Sequence, residues 1–459
     1  MMTASSRTCW LKCRHAVCST ACIFTVTAIT SLFCLKAWPN ATLFKSGCVA
    51  TRRSTASARC SVLATALLTW ASWMSATGGR RLPAVSWRKC LSELRMSDPV
   101  HGLETVGSGS YLKDDVHFLL RSIEMQTTSV EEKERLIQTR QKHYSEMISE
   151  ESAPSDAHKA LYERALSQNG ARMATDVHAL AQALDRQCTR SEIVLVSFVR
   201  AGLPLGVLLR RALIDLGREA HHYGISIVRD RGIDKVALEA IIQTHGAQNI
   251  VFVDGWTGKG AISGEIRRSM AGDARFPQNP RLVVLADPCG SAWLAASAED
   301  WVIPSGILGA TVSGLVSRSI WPADGGLHGC VVYEHLQDHD VTRSFIEQIE
   351  RQRRQKCSTL MLNPWTPTQR LELKSAASRV IDSLAERFGV NNLNRVKPGI
   401  AEATRAVMRR VPDHVLVRNL TDGDVQLLLH LTEKAGIPVE EVGDALGPYR
   451  AVTIIRSLS

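Results

Sequence analysis

The chain has 459 residues, a formal charge of +10 and 22% charged residues. That length excludes a single small module and supports a large core with a second domain. Residues 1–95 hold 13 basic residues and one acid, Glu93, whereas the remaining 364 hold 42 basic and 44 acidic residues, so the excess charge excludes a uniformly basic, nucleic-acid-coating chain. Eight of the 12 cysteines also fall before residue 96; the four that follow, Cys188, Cys289, Cys330 and Cys357, are too sparse for a disulfide framework.

Taken in chain order, residues 1–95 show no clear period of 2 or 3.6. The uncharged run from Ala16 to Leu35, behind Lys12 and Arg14, has the composition of a signal h-region or membrane span. Cys9-x3-Cys13 and Cys18-x3-Cys22 lack a second Cys/His pair to complete a metal site. An acid-poor, Cys/Trp/Arg/Ser-rich segment is what translated non-coding sequence gives. Residues 1–95 are therefore read as a spurious or disordered leader, Met96 as the working start, and the protein as cytoplasmic.

Residues 96–190 form a helical region. Val130–Ile137 starts acidic, Ser155-Asp156 caps a second helix, and Asn169-Gly170 separates it from Ala171–Leu184. From 191 to 360 strands and helices alternate. Ile193–Ser197, Tyr223–Val228, Ile250–Val253 and Leu282–Ala286 read as strands; the helices between them lead to Ile214, span Asp234–His245 and span Ala261–Met270. This order predicts a parallel sheet flanked by helices. Ala310–Ser319 reads as helical, Gly329–Tyr333 as a strand and Val341–Gln355 as a charged helix. Residues 361–394 supply a linker at Asn363–Pro367 and a helix at Leu371–Phe388. Residues 395–459 form a compact α/β unit: helix Ile400–Arg410, strand Val415–Val417, helix Val425–Ala435, and strands Val439–Glu441 and Ala451–Ile455.

Two turns carry chemistry. After Ile250–Val253 come Asp254, Gly255, Trp256, Thr257, Gly258, Lys259 and Gly260, then a helix. Ligands bind where parallel strands end, and a glycine-rich turn at a helix start suits an oxyanion. Asp254 is placed for ribose hydroxyls and Thr257, Gly258, Lys259 and Gly260 for phosphate. Earlier, Arg200, Ala201 and Gly202 precede Pro204 in a turn suited to pyrophosphate, and Arg229 and Arg231 follow a strand, where cations assist a departing diphosphate. The spacing of Gly255 and Gly258 is not that of a Walker A loop. The first loop resembles the sugar-phosphate loop of type I phosphoribosyltransferases, with Gly255 in place of that family's second acid. The Arg-Ala-Gly-Leu run is similar to one in uracil phosphoribosyltransferases. The resemblance implies a type I phosphoribosyltransferase-like α/β fold, phosphoribosyl pyrophosphate as ligand and Mg²⁺ bound through it.

Other residues keep other chemistry open. Cys289, in Asp287-Pro288-Cys289-Gly290, could be a nucleophile with His222 or His328 as base, although a lone cysteine is commonly a small core residue. His221-His222 reads as packing or surface, and no metal site is assigned. Lys397, Gly399, Glu402, Thr404 and Arg405 open the C-terminal helix and resemble the Pelota RNA-binding signature, with Ala401 replacing its asparagine.

Gly109 to Ile455 resembles, over nearly its whole length, a bacterial family found with tellurium-resistance genes. The runs 108–112, 143–147, 228–234, 252–260 and 312–318 carry the likeness. It implies a phosphoribosyltransferase-like enzyme with a Pelota-like RNA-binding domain, making a nucleoside-like or ribosylated product under metal stress. The implied partners are phosphoribosyl pyrophosphate, RNA, products of neighbouring tellurium-resistance genes and a second copy of the chain. Some members are labelled cysteine proteases of the StiP type, so a hydrolase using Cys289 stands as an alternative, beside a non-catalytic RNA-binding regulator.

Overall fold

The computed structural model describes residues 99–100, 102–355 and 360–457. The expectations for residues 1–95, and Cys357, lie outside the described residues.

A six-stranded sheet organises the main body. Its strands are β1 (His117–Phe118), β2 (Glu192–Phe198), β3 (Glu219–Ile225), β4 (Ile250–Val253), β5 (Leu282–Ala286) and β6 (Leu294–Ser297), in spatial order β1-β3-β2-β4-β5-β6. All five pairings are parallel, as the alternation of strands and helices predicts. The strands are apolar on both faces because helices cover both. Ile193 and Leu195 point into one core cluster, with residues of α2 (Asp156–Gln187) and α3 (Gly202–Asp215); Val194 and Val196 point into the other, with residues of α4 (Lys235–His245) and α5 (Ala261–Ser269). Outside the sheet, α1 (Val130–Gln138) is capped by Ser129 and starts with Glu131 and Glu132. α6 (Thr342–Gln355) packs on α2, and α7 (Pro367–Arg387) leads to the C-terminal unit.

That unit has its own sheet. β7 (Val396–Pro398), β8 (Pro412–Val417), β9 (Val439–Glu441) and β10 (Ala451–Ile455) lie in the order β7-β10-β8-β9, with α8 (Ile400–Arg409) and α9 (Gln426–Ala435) packed on it. Its core is continuous with that of the main body: Ile400, Ala403, Val415, Val417 and Ala451 share a cluster with Leu195 and Leu285. The molecule is thus a mixed α/β fold with a parallel central sheet and a small C-terminal α/β domain.

Several local expectations are corrected. Asn169-Gly170 does not divide two helices, because α2 runs through it for 32 residues. Gly170 is buried beside Gln352 of α6, and burial along α2 offsets glycine's cost of about 1 kcal/mol in a helix. Residues 310–319 contain a single 3₁₀ turn, Ala310–Val312, rather than a helix; Gly314 and Leu315 adopt positive φ there. The strand expected at Gly329–Tyr333 shortens to Gly329–Cys330, and β6 was not foreseen. Among the described residues no helix is long and apolar enough to cross a membrane.

Candidate active site

The carboxyl ends of β2 and β4 open onto a cavity of about 160 Å³, walled on its far side by the C-terminal domain. Its lining brings together Arg200 and Ala201 after β2, Arg229 after β3, Asp254 and residues 256–260 after β4, and Lys397, Glu402 and Arg405 from β7 and α8. Motifs separated by up to 205 positions in sequence therefore meet at one sheet edge. Glycine makes this approach possible at two points. A Cβ at Gly202 would lie 2.2 Å from the carbonyl oxygen of Val253, and one at Gly258 would lie 2.9 Å from that of Pro398.

The loop's own donors are largely engaged. The Thr257 amide donates to Ala286 O at 2.9 Å, and its hydroxyl donates to Asp287 Oδ1. Lys259 Nζ donates to the carbonyls of Leu393 and Val396, so it ties the loop to the C-terminal domain. Tyr449 adds a second tie, donating its hydroxyl to Gly258 O at 2.8 Å. Arg200 pairs with Glu151 at 2.9 Å and donates to Val316 O at 3.0 Å.

The expected site residues divide accordingly. Arg229 stays on the cavity wall; its amide donates to the hydroxyl of Tyr144, while its Nε is buried without a hydrogen-bond partner. Arg231 is not on that wall, being paired with Glu146 and stacked 5.3 Å from the Trp321 ring. Gly202 starts α3 beneath the cavity. Gly399 and Thr404 are buried in the C-terminal domain; the Thr404 hydroxyl donates to Ile400 O. The amide at the start of α8, Ile400 N, donates to Asp300 at 3.0 Å, so the end expected to meet RNA faces a carboxylate of this chain.

The electrostatics are dominated by crowded cations. Arg200, Arg229, Lys259, Lys397 and Arg405 face two lining carboxyls, Asp254 and Glu402, with Glu151 paired to Arg200 behind the lining. Burial, then Arg229, pushes Lys259 down to about 8; the same two causes, followed by Lys259, hold Lys397 well below the ordinary lysine range. Arg405 is lowered by burial and then by Arg200, and it lies 4.7 Å from the Trp256 ring. Against the effect of its own burial, Lys397, Arg229 and Arg405 keep Glu402 below the usual carboxylate range. Burial raises Asp254 to about 7 despite its hydrogen bond from Gly255 N.

Behind this wall sits Cys289. Its Sγ lies 3.3 Å from Thr257 Oγ1, 3.2 Å from Ser291 Oγ and 3.7 Å from Asp287 Oδ1. Asp287 also accepts from the amides of Ser291 and Ala292 and from the Trp365 indole, each at 2.8–2.9 Å. Burial first, and the charge of Asp287 second, push the Cys289 thiol up to about 12. Neither expected histidine is its base. His222 lies between Asp115 O and Ser197 Oγ, driven down to about 4 by burial, and His328 bonds Ser226. The Thr257–Asp287–Cys289 cluster escaped sequence reading because residue 257 and residues 287–289 belong to different strand ends.

Residues 109–350 match the model for the tellurite-like stress resistance cysteine protease StiP, and residues 375–457 match a PELOTA RNA binding domain. The chain is 50% identical over 369 residues to a protein of Acinetobacter baylyi (strain ATCC 33305 / BD413 / ADP1) named cysteine protease StiP, which covers 76% of this chain and 94% of that one. Among solved structures, a glycine decarboxylase (P-protein) of the glycine cleavage system, in inhibitor-bound form, aligns with 83% of this chain and 87% of its own at 12% identity; its TM-score of 0.20 carries no argument. These matches overturn the expected phosphoribosyltransferase activity and the reading of the cavity as a phosphoribosyl pyrophosphate site, since the family model and the 50%-identical relative are both named for a cysteine protease. The chain belongs to the family of the tellurite-like stress resistance cysteine protease StiP.

Proposed function

We propose that this chain is a hydrolase that cleaves acidic polypeptide, with the cavity at the carboxyl edge of the sheet as its substrate site and Cys289 as its thiol. The observation that carries the substrate class is the crowding of five cationic side chains around one cavity, three of them with lowered proton affinity. An entering carboxylate relieves that repulsion. The thiol is assigned by position. Cys289 touches the cavity-lining Thr257, whereas Cys188 and Cys330 are packed in the main core. The cysteine-protease name of the matched family supports the same class.

The Thr257 hydroxyl bridges the Cys289 thiol and the Asp287 carboxylate. The Cys289 proton passes through the Thr257 hydroxyl to Asp287, and Sγ bonds to the substrate carbonyl carbon as the C–N bond breaks. Asp254, raised to about 7, gives its proton to the departing amine. Water then attacks the thioester and returns a proton to Asp254, while the leaving thiolate recovers its own from Asp287. The experiment is cleavage of an acidic unfolded protein such as casein by the wild type and by Cys289→Ala. Loss of cleavage in the variant supports the reading, and equal cleavage rejects it.

A second reading has its own observation. Lys397, Glu402 and Arg405, which lie within the region matching an RNA-binding domain, line the same cavity. RNA is then the anion recognised, and a single-stranded RNA that shifts wild type but not Arg405→Ala separates this reading from the first. As a finer fold reading we infer a type I phosphoribosyltransferase-like topology without the transferase activity. The parallel strand order and the meeting of the 200–202 and 254–260 turns support it.

A further inference from the structure

The opposite edge of the central sheet, at the amino ends of its strands, carries a second cluster. Glu192 and Glu219 are the first residues of β2 and β3 and stand directly across from each other in the parallel register. Two carboxylates at such a position repel unless a cation lies between them. His221 is two residues further along β3 and so on the same face. Its Nε2 is 3.3 Å from Glu192 Oε1 and 3.5 Å from Glu219 Oε1. His245, at the end of α4, brings Nδ1 onto Glu192 Oε1. The two imidazole rings are 4.5 Å apart, and one ligand atom from each of Glu192, His221 and His245 lies within 4.8 Å of the others.

The surrounding hydrogen bonds have the form that supports metal ligands. His245 Nε2 meets the Tyr223 hydroxyl at 2.8 Å, which fixes the ring with Nδ1 turned toward the cluster. Asn249 Nδ2 donates to Glu192 Oε2 at 3.0 Å, leaving Oε1 directed at the histidines. The side chains of Glu192 and His221 are 20% and 37% exposed, so an ion has a route in from solvent.

We propose that Glu192, His221 and His245 form a binding site for a borderline divalent ion of the Zn²⁺ class, with Glu219 as its fourth ligand. Two imidazoles with carboxylate oxygen suit Zn²⁺, Co²⁺ or Ni²⁺ rather than Mg²⁺ or Ca²⁺, which take oxygen alone. The bound ion pins the end of α4 to β2 and β3, on the side of the sheet away from the cavity.

The test is equilibrium dialysis of the full chain against Zn²⁺, with bound metal counted by mass spectrometry for wild type, Glu192→Gln and His221→Ala. Zinc bound through thiolates elsewhere would be common to all three proteins, so the decisive quantity is the difference between them. Wild type is expected to hold one more zinc per chain than either variant. Co²⁺ loaded at this site gives a d–d absorption that disappears in both variants while thiolate charge-transfer bands stay unchanged. Equal metal content in all three proteins, or a Co²⁺ spectrum indifferent to both substitutions, overturns the site. Glu192→Gln keeps side-chain shape and decides the matter if His221→Ala does not fold.

Discussion

Tyr449 donates its hydroxyl to the carbonyl oxygen of Gly258 at 2.8 Å, so the C-terminal domain holds the loop that walls the cavity. The Tyr449 ring is fully buried in a cluster with Cys289, Val380 and Leu446, and Tyr449→Phe removes only its hydroxyl. That variant is expected to lose about 1 kcal/mol of stability, the net worth of one such bond. Urea unfolding measures it, and an unchanged midpoint would show that the tie contributes nothing.

Burial raises the proton affinity of Asp254 from the ordinary carboxylate range to about 7. A carboxyl raised in the folded state contributes stability that is fully present below its unfolded value and lost as the pH rises through about 7. Asp254→Asn removes this dependence. The variant should match wild type near pH 4 and exceed it at pH 8 by an amount on the order of 2 kcal/mol. Thermal melts at the two pH values test this, and a variant less stable than wild type at pH 8 contradicts it.

The third prediction concerns the thiol. With Cys289 pushed up to about 12, its alkylation by iodoacetamide at pH 8 should be slow in the folded protein. Asp287 is the second cause of that shift. Asp287→Asn should therefore speed alkylation of Cys289, by about tenfold for each unit by which the thiol falls. Peptide mapping after timed labelling reads the rate at this cysteine, and an unchanged rate would show that burial alone protects it.

The fourth prediction follows from Lys259, which burial and Arg229 push down to about 8. Its charge is present below that pH and lost above it. Binding of an acidic peptide should weaken as the pH rises from 7 to 9, and Lys259→Arg should flatten the profile because arginine stays charged. Fluorescence titration across that range decides the point, and a profile identical in the two proteins would remove Lys259 from the site.

The two turns were legible in the sequence because each is local: an apolar strand, then Gly, Thr, Lys or Arg at a helix start. Their meeting was expected only through the family resemblance, which gives both turns to one ligand; in the fold it comes from β2 and β4 pairing as neighbours, Val194 opposite Ile250. β6 was hidden because its four residues, Leu-Ala-Ala-Ser, show no strand alternation and follow the turn at Pro288–Ser291. Lys397, Glu402 and Arg405 could be singled out from their helix-start pattern. That they face the main body rather than solvent follows from Asp300, whose carboxylate accepts from Ile400 N and Arg450 N at 3.0 and 2.8 Å. His221 gave no sign of a ligand role, because Glu192 and His245 join it only through strand register and the end of a helix.

The proposed hydrolase rests on an acidic substrate bound in the cationic cavity reaching Cys289, which lies behind the cavity-lining Thr257. The most direct measurement is labelling of the full chain with an acidic peptide bearing a vinyl sulfone, beside its basic counterpart, followed by mapping of the adduct. The account predicts an adduct on Cys289 with the acidic probe, little with the basic one, and loss of labelling in Arg405→Ala. Labelling at another cysteine, or equal labelling by both probes, would contradict it.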